Sequence, residues 1–324
     1  MMNLPASSNI TRVELNNGIT VLVYENFNAQ SVVISGSLHA GSLYEDRLKN
    51  GVAALTASSL MRGTLNHDFD AIHTRLEVVG ADAGISAGTH RAGFSGKALA
   101  EDLPLLLDVL SDALRYPAFP IEQVERLKGE ILTGLQYRQQ DTRFLAGQAF
   151  RENLYPSEHP YYLSTRGTLT TIPTITTDDL RAFHTGYYGP QDMKICIVGA
   201  VEAAQVVELV QLYFGDWENP QQPAIAGLPT MTPFNEVRRQ HISVPGKSQS
   251  DLLMGVVGPS RLAEDYYAAI MANSILGQFG MMGRIGAAVR EQSGLAYYAS
   301  SRLEGGYGPG AWLISAGVNP VNVE

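Results

Sequence analysis

Apolar residues recur along the chain with two periods, and each period marks a kind of element. Ile19-Thr-Val-Leu-Val-Tyr24 and Ser31-Val-Val-Ile-Ser35 are short runs rich in β-branched residues, the pattern of strands. Met193-Lys-Ile-Cys-Ile-Val198 is a third run, apolar enough for a strand inside a core, with Cys196 buried in it. Between 101 and 115, Leu103, Leu106, Leu107, Leu110 and Leu114 fall at helical spacing, and a first turn tolerates Pro104. Residues 120–153 predict a longer helical stretch broken near Asp141-Thr142. Thr176 caps a short amphipathic helix through Phe183, and 202–214 carries another that ends near Gly215-Asp-Trp217. His39-Ala-Gly-Ser-Leu-Tyr-Glu45 is a turn-rich link into a helix starting near Asn50.

Residues 218–235 change character. Pro220, Pro223, Gly227, Pro229 and Pro233 mark an extended linker, which sets a domain boundary. This places a first domain at 1–217, the linker at 218–235 and a second domain at 236–324. The second resembles a repeat of the first. Glu77-Val-Val-Gly80 and Glu291-Gln-Ser-Gly294 each end a helix, turn on a glycine and enter a strand, 214 residues apart. At that offset a full second copy runs about a hundred residues past Glu324, so the second domain is expected to be incomplete.

Composition narrows the classes. The chain has 324 residues, 45% of them hydrophobic, enough for two domains with real cores. A net charge of -9 argues against a nucleic-acid binder, which shows a basic stripe. No run approaches the 18 or so apolar residues of a membrane span, and the N-terminus lacks the basic-then-apolar pattern of a signal peptide. From those two patterns a cytoplasmic, reducing location is expected, and the single cysteine, Cys196, cannot form an internal disulfide.

The chemistry centres on Gly51-Val-Ala-Ala-Leu-Thr-Ala-Ser-Ser-Leu-Met-Arg-Gly63-Thr64. This stretch resembles the active-site helix of the M16 peptidases, the inverted zinc metallopeptidases. The family frame runs Gly-x-Ala-His-x-x-Glu-His-x-x-x-x-Gly-Thr. Here Ala54 and Ser58 stand at the two histidine positions and Ala57 at the glutamate. Positions 54 and 58 are four apart and share a helix face, so two histidines there would bite one zinc. Alanine offers no lone pair, and zinc takes imidazole, thiolate or carboxylate rather than a neutral hydroxyl. Losing the metal forfeits on the order of 12 kcal/mol of help in making hydroxide at neutral pH. The resemblance extends to Phe119-Pro-Ile-Glu-Gln-Val-Glu-Arg-Leu-Lys-Gly-Glu-Ile-Leu-Thr-Gly134, where the family's third ligand position falls on Gly134. No two of the seven histidines stand at i, i+4, so no second helical pair replaces the lost one. Ser58-Ser59 has no nucleophile elbow around it and is expected to pack, and Tyr187, Tyr188 and Trp217 are expected in the core.

A second landmark of the resemblance is intact. Asn273 to Tyr297 resembles the glycine-containing loop, helix and strand of the second M16 domain, and Arg290 and Tyr297 match its arginine–tyrosine pair. In the family these side chains face the zinc across a closed chamber and bind the substrate backbone. Gly277, Gly280 and Gly283 form a loop that lets backbone approach an extended peptide closely, and their spacing fits neither a phosphate loop nor a dinucleotide site.

The resemblance implies an α+β fold of two M16-type domains, each a mainly antiparallel sheet packed against helices. It implies a pseudoenzyme, inactive alone: a non-catalytic, substrate-binding subunit of a heterodimeric zinc endopeptidase. Zinc is then expected in the partner subunit and none in this chain, with peptide as substrate and neither nucleic acid nor membrane as partner. The alternative is a structural or chaperone-like scaffold with no part in proteolysis, which would need neither Arg290 nor Tyr297.

Overall fold

The computed structural model describes residues 6–231, 234 and 236–323. Two units emerge from the packing: Met1–Leu132 with Ser164–Ala226, and Thr133–Leu163 with Gly227–Glu324.

In the first unit, β1 (Thr11–Glu14), β2 (Thr20–Glu25) and β3 (Ser31–Leu38) lead to α1 (Val52–Ser59) and α2 (Phe69–Val78). The hairpin of β4 (Asp82–Ala87) and β5 (Ala92–Leu99) follows, then α3 (Leu103–Arg115) and α4 (Ile121–Arg138). From Thr133, α4 is counted with the second unit, as is α5 (Thr142–Leu154). The chain returns to the first unit for α6 (Thr177–Tyr187), β6 (Lys194–Gly199) and α7 (Ala203–Phe214). The sheet order is β1-β2-β6-β3-β5-β4, antiparallel except for the β2–β6 pair.

Alternation explains β3. Val32, Ile34 and Leu38 are buried while Val33 points outward. At Gly36 the ring of Phe94 occupies the space a side chain would need. The leucine stripe of α3 faces inward, with Leu106, Leu107, Leu110 and Leu114 fully buried. Ser111 and Arg115 on the same helix donate to the Tyr213 carbonyl near the end of α7. The break between α4 and α5 has a local cause: Asp141 accepts from the Arg143 and Phe144 amides and starts a new helix. Thr176 and Asp179 form a capping box on α6.

The second unit holds β7 (Ser250–Val257), α8 (Tyr266–Leu276), a π-helical segment at Gly286–Gln292, β8 (Ala296–Gly305) and β9 (Pro309–Val318). Its sheet is antiparallel in the order β7-β9-β8. The plan duplicates part of the first unit. A strand leads through helices to a hairpin whose second strand pairs with the first, as β3, β4 and β5 do. Gly80 and Gly294 make the same turn into the hairpin, at φ 63 and 62, the left-handed region where glycine carries no steric cost.

Three sequence expectations change. Residues 133–163 pack with the second unit, because α5 lies on β7. The Phe150 ring fills the space beside Gly255, and Leu154 and Tyr155 form a core with Ala311 and Leu313. The start of the proline-rich linker is stitched to the first unit. Asn219 donates to the Thr185 and Tyr188 carbonyls, and Gln222 bonds the backbone of Gln191 in both directions. Cys196 is half-buried rather than buried, because Ile195 and Ile197 take the core face of β6 and leave it the other. Among the described residues no helix is long and apolar enough to cross a membrane.

Candidate functional site

The degenerate frame folds as a short helix sunk into its unit. Gly51 starts α1 at φ 101, and a side chain there would meet the Gly167 backbone at 2.8 Å, so glycine is required twice over. Val52, Ala53, Leu55, Thr56, Ala57 and Ser59 are buried. Ala54 and Ser58 are half-buried, the two positions of the helix that reach toward solvent. The frame closes at Gly63, φ 143, and at Thr64, whose hydroxyl donates to the buried Asp112 at 2.5 Å. Asn66 donates to the same carboxylate at 2.5 Å, and His67 Nδ1 lies 3.1 Å from it.

Sequence reasoning passed over Glu45, which it treated as part of a turn. Its Oε1 accepts from Asn50 Nδ2 at 2.7 Å and from the Gly51 amide at 3.1 Å; its Oε2 accepts from the Ala53 amide at 3.2 Å. These bonds satisfy donors that a helix start leaves free. Burial outweighs them and pushes the carboxyl up to about 7. The only available signal was a carboxylate a few residues ahead of a helix start.

The residues at the ligand positions do not fit zinc. Ala54 and Ala57 present methyl groups and Ser58 a neutral hydroxyl. Gly134 sits exposed on α4 with nothing within 4 Å of the place a side chain would start. Among the described residues no group of three or more His, Cys, Asp or Glu is placed to hold a metal ion. His67 serves Asp112, and His39 Nε2 lies 3.4 Å from Asp192 and 2.5 Å from the Arg91 guanidinium. Tyr188 and Trp217 are core residues, and Tyr187 is half-buried.

In the second unit, Arg290 and Tyr297 are brought together. Arg290 projects from the π-helical segment and is exposed. Tyr297 follows Ala296 at the start of β8 and is 80% exposed. The guanidinium carbon lies 5.9 Å from the centre of the tyrosine ring, at the outer edge of cation–π contact. The result is an exposed forked cation beside an exposed phenol, two donors suited to a carbonyl oxygen or an oxyanion. The glycine loop packs largely on itself. A side chain at Gly283 would meet Gly277 Cα at 2.3 Å, and the Gly277 carbonyl accepts from the Ser301 amide at 3.0 Å. Gly280 needs its left-handed φ of 62 and has open space around it. Phe279 and Met282 beside it are exposed.

A repeated strand–helix–hairpin plan, with sheets packed against helices, is the two-domain α+β fold that the resemblance implies. Two descriptions of one family match the chain: insulinase (peptidase family M16) over residues 20–158, and peptidase M16 inactive domain over residues 174–324. The chain belongs to the M16 peptidase family. An uncharacterised zinc protease of Streptomyces coelicolor is 25% identical over 97% of this chain and 69% of its own length. The beta subunit of the mitochondrial-processing peptidase of Saccharomyces cerevisiae is 25% identical over 89% of this chain and 62% of its own. The crystal structure of a peptidase M16 inactive domain from Pseudomonas fluorescens superposes with a TM-score of 0.87 at 28% identity, covering 96% of this chain and 74% of that one. The chain spans about two thirds of the length of the relatives it matches.

Proposed function

We propose that this chain is a non-catalytic, peptide-binding subunit of an M16 zinc endopeptidase whose zinc is held by a partner chain. One observation carries the reading. A pair of exposed donors, Arg290 and Tyr297, stands together in a chain whose metal-ligand positions offer no donor set for zinc. In this role the partner supplies the metal and its activated water. Arg290 and Tyr297 orient an extended peptide and donate to the carbonyl oxygen as it gains negative charge. Each such donor typically contributes a few kcal/mol to a transition state. A reducing, cytoplasmic location suits a chain with a single cysteine.

Affinity purification of the native complex, with the co-purifying chains read for a complete His-x-x-Glu-His frame, tests the partnership. Addition of this chain to that partner is expected to raise cleavage of an unfolded protein. Arg290→Ala and Tyr297→Phe are each expected to lower that gain by about tenfold or more. Unchanged cleavage with both variants would favour a scaffold with no part in proteolysis.

A further inference from the structure

Tyr297 stands where β8 and β9 fall out of step. Ala296 pairs with Val318 and Tyr298 with Gly317, so Tyr297 is an extra residue with no partner on β9. Such a bulge interrupts the ladder and re-aims a side chain. The direction of Tyr297 is therefore set by whatever fixes its neighbours.

The next residue is firmly fixed. Gly317 lies between two partners, Tyr298 on β8 and Asp251 on β7. The Tyr298 ring crosses over Gly317 and its hydroxyl donates to Asp251 Oδ1 at 2.6 Å. Only glycine leaves that path open, since a side chain at 317 would begin 2.4 Å from the ring. On α5, Thr142 donates its hydroxyl to Asp251 Oδ2, and the Arg143 guanidinium lies over the Tyr298 ring at 4.1 Å. Gln249 donates to Oδ1 at 3.1 Å, and the carboxylate is 3% exposed. Burial works against its charge, but the bonds from Thr142, Tyr298 and Gln249, with Arg143 nearby, hold it below the usual carboxylate range. Burial, reinforced by Asp251, pushes the Tyr298 phenol up to about 12, so it remains a donor at any ordinary pH.

We infer that Asp251 and Tyr298 are positioning residues for Tyr297: their tie across Gly317 pins the bulge, and the pinned bulge holds the Tyr297 phenol beside Arg290. The effect of this tie on peptide binding rests on the function proposed above; its effect on geometry does not.

The test uses the full chain with ring-labelled tyrosine, the Tyr297 NMR signal being identified by its loss in Tyr297→Phe. Tyr298→Phe, and the near-isosteric Asp251→Asn, are expected to shift or broaden that signal. Leu154→Ala, which weakens the core of the same unit without touching the tie, is expected to leave it in place. Fluorescein-labelled, reduced and carboxymethylated lactalbumin serves as the unfolded probe. Its affinity is expected to fall by a similar factor in Tyr298→Phe and Tyr297→Phe, with no further loss in the double variant. An unmoved Tyr297 signal in both Tyr298→Phe and Asp251→Asn overturns the inference. If Tyr297→Phe leaves probe affinity intact, the proposed function falls, while a displaced signal still upholds the positioning role.

Discussion

Glu45→Gln separates two forces that oppose each other at the start of α1. A carboxylate at a helix N-terminus gains from the dipole and from amide donors, and Glu45 accepts from Asn50, Gly51 and Ala53. Desolvation disfavours the same charge, and it moves the group from 4.5 to about 7. At about 1.4 kcal/mol per pH unit, that gap corresponds to about 3 kcal/mol. The folded value lies above the unfolded one, so the native state binds more protons between them. Stability therefore falls as pH rises from about 4.5 to about 7 and levels off above. Glutamine removes the charge and keeps one acceptor oxygen for Asn50 and Gly51, but gives up the bond from the Ala53 amide. The variant's stability is expected not to share the parent's fall, so the difference between them moves in the variant's favour by about 3 kcal/mol between pH 4.5 and pH 8. Urea unfolding followed through the fluorescence of Trp217, which is buried in the first unit, reads the difference in a Trp312→Phe background. If the parent gains on Glu45→Gln as pH rises from 5 to 8, the carboxylate is a stabilising anionic cap and the desolvation argument is refuted.

Two further outcomes are expected. Ala54→His combined with Ser58→His places two imidazoles on the open side of α1, so the variant should bind Co2+, with visible absorption bands that the parent lacks; no binding would mean that the two positions do not converge. Asp112→Ala removes the buried carboxylate that Thr64, Asn66 and His67 share, leaves the buried Thr64 hydroxyl without it, and should lower first-unit stability by roughly 1–3 kcal/mol in the same urea assay.

Elements whose cause is local were legible in the sequence. The leucine spacing of α3, the helix break near Asp141, the cap at Thr176, the β-branched runs and the glycine turns at Gly80 and Gly294 all depend on neighbours within a few residues. Features set by distant partners were not. Phe150 joins the second unit because of Gly255, about a hundred residues on. Asn219 and Gln222 look like linker residues until the Tyr188 carbonyl and the Gln191 backbone are beside them. The same holds at the candidate site. Arg290 and Tyr297 were visible through a motif, whereas the bulge that carries Tyr297 arises from register with β9, and Asp251 bears on it only through a strand pairing. Glu45 belongs to the same class, because its meaning lies in the burial around it.

The side of α1 that reaches solvent has an evolutionary corollary. Ala54 and Ser58 lie at the rim of their unit, while the apolar body of the helix faces inward. Trading a histidine for a small residue at such a rim neither hollows the interior nor abandons a hidden polar group. Folding thus exacts little penalty for a change of side chain there, so metal-ligating groups can come or go at this rim while the architecture stays intact.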